Sequence, residues 1–207
     1  MKLLFSEQFR PKTFEEMMLP RPLKERLQRM VDDRDIMNML FHGKPGSGKT
    51  TAAKLICDKD IFDVLELNGS LLTGIDVVRN QIQSFAVACS LFHRHKLCFI
   101  DEADYMSKNA QASLRGVIEA MSGNCRFIFT ANHPEKLHEA LRSRLKQVSF
   151  DLTNSQTEEA LVGYTNGLLE RVRKLEYHID ESRVRRIVRM NYPDFRIINN
   201  ELQFEFA

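Results

Sequence analysis

The sequence predicts an α/β fold: a five-stranded parallel sheet flanked by helices within residues 1–151, then a small three-helix domain over residues 152–207. Three observations carry that expectation. The stretch Gly43-Lys44-Pro45-Gly46-Ser47-Gly48-Lys49-Thr50-Thr51 fits G-x-x-x-x-G-K-[ST]. It lies between the apolar run Met37 to Phe41 and the run Ala52 to Ile56, which supply the strand and the helix that such a loop needs. A second apolar strand, starting at Lys96, ends in Asp101-Glu102, and the carboxyl end of a buried parallel strand is where ligands bind in such sheets. Beyond Asp151 the alternation of strands and helices stops, and helical periodicity alone continues.

Composition bounds the rest. With 207 residues, 43% hydrophobic and 28% charged, the chain suffices for one full core and a smaller partner domain. A net charge of +2 is too small to argue by itself for a nucleic-acid partner. No apolar run approaches the roughly 20 residues that span a bilayer, and Lys2, Glu7 and Arg10 break up any signal-peptide core. The expectation is an intracellular protein, cytoplasmic or in a host's cytoplasm with the nucleus left open, and no membrane partner. Cys57, Cys89, Cys98 and Cys125 have no C-x-x-C spacing, which favours reduced, mostly buried thiols over zinc or disulfides.

In chain order, Phe9 to Pro20 has prolines near both ends and reads as an extended arm leading into a turn. Its apolar residues could line an adenine pocket or strap the core, and spacing alone does not separate the two. Leu23, Leu27, Met30 and Val31 recur at helical intervals. In the loop, glycines let successive N–H groups form a nest for phosphates, Lys49 reaches the β/γ oxygens and Thr50 offers its hydroxyl to magnesium. Val64 to Asn68 reads as a second strand that ends in the turn Asn68-Gly69-Ser70. Ile75, Val78, Ile82, Phe85, Ala86 and Cys89 keep a helical period. The free N–H groups at the Gly74 end could hold a DNA phosphate or be satisfied by solvent.

The acids come next. Asp101 is expected to hold magnesium through water, and Glu102 to orient and deprotonate the water that attacks a γ-phosphate. The helix from Ser107 to Met121 should bury Ala112, Leu114, Val117, Ile118 and Met121, leaving Arg115 for a neighbour or for solvent. Arg126 to Thr130 reads as a fourth strand ending at Ala131-Asn132. Asn132 could orient the attacking water or cap the helix near Pro134, and its place at a strand end favours the water. Gln147 to Phe150 closes the sheet as a fifth strand. Arg144 either complements a helix dipole or projects into an adjacent subunit as an arginine finger, which implies heterologous contacts in an oligomer. Thr157 to Leu175, Asp180 to Met190 and Pro193 to Leu202 then read as three helices forming a lid. Their arginines are offset by glutamates, so these faces are read as solvated.

Together these residues resemble the AAA+ clamp-loader ATPases, both the small subunits of replication factor C and the large clamp-loader subunit of tailed phages. Phe9-Arg10-Pro11 looks like the family's adenine-side arm, Asp101-Glu102-Ala103-Asp104 its D-E-A-D box, and Asn132 its first sensor. Ser143-Arg144 resembles the S-R-C element, whose arginine acts in trans. Pro193-Asp194-Phe195-Arg196 resembles the lid motif that carries the second sensor, Arg196. The resemblance implies ATP and magnesium as cofactors. As partners it implies other clamp-loader subunits, a sliding clamp and the backbone of primer-template DNA, contacted at Ser70, Gly74, Lys108 and Asn109. It departs from the family at Leu145, where the S-R-C element has cysteine, and at Thr73, where many relatives carry a basic residue. The sequence ends at Ala207, just past the lid, so the family's collar is expected from another chain or segment, or assembly is expected to be weak. Two other readings are a branch-migration type AAA+ motor and a nucleotide-binding scaffold without turnover.

Overall fold

The computed structural model describes residues 4–71, 75–90, 94–173 and 180–206. In chain order the elements are α1 (Phe5–Gln8), α2 (Arg21–Asp32), β1 (Met39–His42), α3 (Lys49–Ile56), β2 (Asp63–Asn68) and α4 (Ile75–Val87). They continue with β3 (Lys96–Asp101), α5 (Lys108–Ala120), β4 (Cys125–Ala131), α6 (Glu139–Arg142), β5 (Lys146–Ser149), α7 (Asn154–Arg173), α8 (Glu181–Asn191) and α9 (Phe195–Phe206). The chain packs as two compact units and passes between them within α2, after Gly43, within α3 and after Ser149.

The sheet unit holds five parallel strands in the order β2-β3-β4-β1-β5. The inner strands β3 and β4 are almost continuously apolar, as burial on both faces demands, and Leu97, Cys98, Ile100, Phe127, Ile128 and Phe129 have no exposed surface. The edge strand β5 is mostly exposed. One core gathers Leu40, Ile82, Ile100, Leu114, Ile118, Phe127, Phe129 and Leu145. Lys96 opens β3 yet is only 8% exposed. Its ammonium donates to the carbonyls of Phe85 (2.7 Å), Ala86 (3.2 Å) and Ala88, so the charge closes the carboxyl end of α4, where the helix leaves acceptors unpaired.

Two expectations fail in this unit. Ala112 is exposed, and Gln111 takes the buried place beside it. The Gln111 amide can be buried because it is satisfied: Nε2 donates to the carbonyls of Met106 at 3.1 Å and Lys136 at 3.4 Å, and Oε1 accepts from the His138 N–H at 2.7 Å. Cys89 is also exposed, because α4 stops at Val87 and leaves it beyond the apolar stripe.

The helical unit is built on α7, α8 and α9, with the amino-terminal segment packed into the same core. Phe5, Phe9, Met18, Leu168, Val172, Val184, Val188, Ile198 and Leu202 form that core. Ahead of the arm, Phe5–Gln8 makes one helical turn, and its Phe5 N–H donates to Gln203 Oε1 of α9 at 2.9 Å. Asp180 caps α8 by accepting the Ser182 N–H at 2.9 Å. α7 begins at Asn154, three residues before the expected Thr157, while Lys174 and Leu175 of the expected helix lie outside the described residues.

Candidate functional site

The phosphate-loop sequence belongs to the helical unit from Lys44 onward. Gly46 and Gly48 adopt positive φ, 72° and 93°, a conformation that side chains resist. Lys49 is buried, and its ammonium donates to the Lys44 carbonyl at 2.7 Å. The Lys44 N–H donates to Asp151 Oδ1 at 3.0 Å. The start of α9 is tied to the same loop, because the Phe195 N–H donates to the Gly46 carbonyl at 3.2 Å. Asp194 caps α9, accepting from the N–H groups of Arg196 (2.9 Å) and Ile197 (3.1 Å). Its carboxylate presses on Gly46 so closely that a Cβ there would lie 2.1 Å from Oδ1. Arg196 thus sits exposed in the first turn of a helix docked on the loop. Left-handed glycines, a lysine folded over the loop and Thr50 in the first turn of α3 make a donor set that fits polyphosphate and magnesium.

The arm is differently engaged. Phe9 packs its ring 4.8 Å from that of Phe5, and its carbonyl accepts from Arg171 Nη1 at 3.1 Å. Arg10 pairs with Glu7 at 2.8 Å, and Pro11 is half-buried. The arm reaches the loop through Met17, whose Cε lies 3.0 Å from where a Cβ on Gly48 would be.

In the sheet unit, the ends of β3 and β4 lie side by side, which sets Asp101 and Glu102 beside Thr130 to Asn132. Glu102 follows the strand in a left-handed conformation, φ 54° and ψ 44°. Its N–H donates to Thr130 Oγ1 at 3.0 Å, and that hydroxyl donates to Asp101 Oδ1. Asn132 is half-buried at the end of β4. The cap position of the 3₁₀ turn Pro134–Lys136 falls on His133, so the capping alternative for Asn132 is not the one observed. Asp104 is buried, and its Oδ2 accepts from the His133 N–H at 3.1 Å, tying the acidic box to the residue after Asn132. β1 ends at His42, and Gly43 (φ 144°) leaves the sheet between β4 and β5.

Arg144 is engaged within its own unit. Nε donates to Glu119 Oε1 at 2.8 Å, Nη2 reaches the same oxygen, and Nη1 donates to the Ala140 carbonyl. The guanidinium holds the exposed Glu119 carboxyl below its ordinary value, through the hydrogen bond first and then through charge. Arg115 is exposed on α5. Lys108 and Asn109 are exposed in the first turn of α5, which Ser107 caps by accepting the Ala110 N–H at 3.2 Å. Ser70 is exposed and donates from both N and Oγ to Asn68 Oδ1. Gly74 and Thr73 lie outside the described residues.

Sequence reasoning missed Thr130, Gly69, Gln111 and Glu119. Gln111 had a signal, since it shares the helical stripe of Leu114 and Ile118 at intervals of three and seven. Thr130 had a weaker one, a lone hydroxyl closing an apolar strand. Gly69 and Glu119 had none, because their roles depend on residues distant in sequence.

Residues 39–152 match the family described as "ATPase family associated with various cellular activities (AAA)". The replication factor C small subunit of Staphylothermus marinus is 39% identical over 158 residues, covering 72% of this chain and 47% of that protein. Replication factor C subunit 3 of Saccharomyces cerevisiae is 36% identical over 203 residues, covering 95% of this chain and 58% of that protein. This chain therefore spans about half the length of the curated relatives it matches. Among solved structures, the Thermotoga maritima RuvB Holliday junction branch migration motor superposes with a TM-score of 0.69 at 20% identity. It covers 92% of this chain and 63% of that one, a likeness of fold alone.

Proposed function

The chain belongs to the AAA family of ATPases, and from that premise we propose that it is a clamp-loader subunit. It would hydrolyse ATP within an oligomeric spiral to load a sliding clamp onto primer-template DNA. The observation that carries this reading is its 36% identity, over 95% of its length, to a replication factor C subunit. In the proposed division of labour, residues 1–151 bind nucleotide and residues 152–207 act as a lid. Lys49 and the loop amides hold the phosphates, and Thr50 and Asp101 hold magnesium, which when bound neutralises charge on the β- and γ-phosphates. Glu102 orients and deprotonates the attacking water, Asn132 helps to place it, Arg196 senses the γ-phosphate of its own subunit, and Arg144 serves a neighbour. For that last role Arg144 must exchange its partner Glu119 for phosphate. The DNA backbone would be met by Ser70, Gly74, Lys108 and Asn109, which makes binding salt-sensitive and indifferent to sequence.

The test is ATP turnover by the chain with its partner subunits, with and without clamp and primed DNA. Stimulation by both is expected, together with loss of turnover in Glu102→Gln. Equal rates for wild type and Glu102→Gln would sink the hydrolase reading, and absence of stimulation would sink the clamp-loader reading. The fold likeness to a branch migration motor motivates a second reading, in which the protein moves DNA strands, and a strand-displacement assay separates it from the first.

A further inference from the structure

We propose that Thr130 is a positioning residue that sets the aim of Glu102, and that Gly69 secures the same backbone from the opposite strand. The inference rests on the hydrolytic role of Glu102 proposed above. Glu102 is one of two described non-glycine residues with positive φ, in a region that side chains seldom occupy unless their surroundings hold them there. Two neighbouring strands supply that hold. From β4, Thr130 Oγ1 accepts the Glu102 N–H at 3.0 Å. A hydroxyl has one proton, and here it goes to Asp101 Oδ1, so the lone pairs are left to face the Glu102 amide. One side chain thereby ties the Asp101 carboxylate to the Glu102 main chain.

From the turn that follows β2, the Gly69 N–H donates to the Asp101 carbonyl at 2.7 Å. A Cβ on Gly69 would lie 2.5 Å from the Glu102 carbonyl oxygen and 3.0 Å from its carbon. Those atoms are backbone, so a side chain at position 69 must move Glu102 itself rather than a flexible neighbour. Thr130 is 2% exposed, too deep to meet a substrate, and acts only through the two acids.

The experiment uses the full chain with its partner subunits and compares Thr130→Val, Thr130→Ser and Gly69→Ala with Glu102→Gln as reference. Valine keeps the shape of threonine but removes the hydroxyl. Thr130→Val should lower kcat by about 10- to 100-fold, the scale of a small misplacement of a catalytic group, with nucleotide Kd unchanged. Thr130→Ser should restore most of it, and Gly69→Ala should lower kcat in the same direction. Hydrogen exchange at the Glu102 amide should be faster in Thr130→Val, a readout independent of turnover. Wild-type kcat in Thr130→Val, failure of serine to rescue, or an unchanged Glu102 exchange rate would each overturn the proposal. If instead Glu102→Gln turns over like wild type, the hydrolytic role falls, and the exchange rate still decides whether Thr130 holds Glu102.

Discussion

Gly46→Ala should destabilise the helical unit through two separable effects. At φ 72° a left-handed L residue costs about 1–2 kcal/mol. The new Cβ would also lie 2.1 Å from Asp194 Oδ1, 2.3 Å from Cγ and 2.7 Å from Oδ2, which leaves the carboxylate no room where it stands. Asp194 must swing away and surrender its bonds to the N–H groups of Arg196 and Ile197, and losing such a cap costs about 1 kcal/mol. The total is about 2–3 kcal/mol. Asp194→Ala alone should cost about 1 kcal/mol for the same lost cap. Since Gly46→Ala has already displaced the cap, the double variant should be no less stable than Gly46→Ala, a coupling of about 1 kcal/mol. Urea unfolding of the four proteins, followed by far-ultraviolet circular dichroism, measures it. Effects that add within about 0.3 kcal/mol would refute the idea that Gly46 is glycine because Asp194 leans on it.

Two further predictions concern the sheet unit. Lys96→Met removes the donor shared by the carbonyls of Phe85, Ala86 and Ala88 and should cost about 1–3 kcal/mol in denaturant unfolding; a variant as stable as wild type would show that the buried ammonium is not needed to close α4. Burial pushes the Cys57 thiol up to about 12 and the Cys125 thiol up to about 11 from an ordinary value of 9.0, and raises Cys98 in the same direction. The folded chain therefore keeps protons that the unfolded chain releases. This stabilisation is full below about pH 9 and is lost as pH rises through the folded values. A thiol reagent near pH 8 should label exposed Cys89 first and the other three only on unfolding, and an unfolding midpoint that does not fall above about pH 9 would contradict the shift.

The sheet was legible because its inner strands are continuous apolar runs. Lys96 to Asp101 and Arg126 to Thr130 read as strands once burial on both faces is required; β3 starts at Lys96 as expected and stops at Asp101, before Glu102, while β4 extends the expected run by a residue at each end. The order of the strands was not read from the sequence, since no single strand states its neighbours. Helices were legible as stripes, with errors where a polar residue found partners from afar. Gln111 displaced Ala112 because Lys136 and His138, far along the chain, supply an acceptor and a donor for its amide. At the candidate site the sequence offers a lysine, a threonine and two acids in motifs that suit phosphate chemistry. Their orientation was not, because Glu102 owes its backbone to Thr130 and Gly69, and Asp194 owes its place to Gly46.

Those contacts bear on how a signal could travel from bound DNA to Glu102. Gly69 adjoins Ser70, a proposed DNA-backbone contact; its N–H donates to the Asp101 carbonyl, and a Cβ on it would meet the Glu102 carbonyl. If Ser70 meets DNA as proposed, a shift of the turn after β2 would reach the Asp101 main chain through that hydrogen bond. Such a link would require glycine at position 69, because a Cβ there would lie 2.5 Å from the Glu102 carbonyl oxygen and something in that backbone must shift.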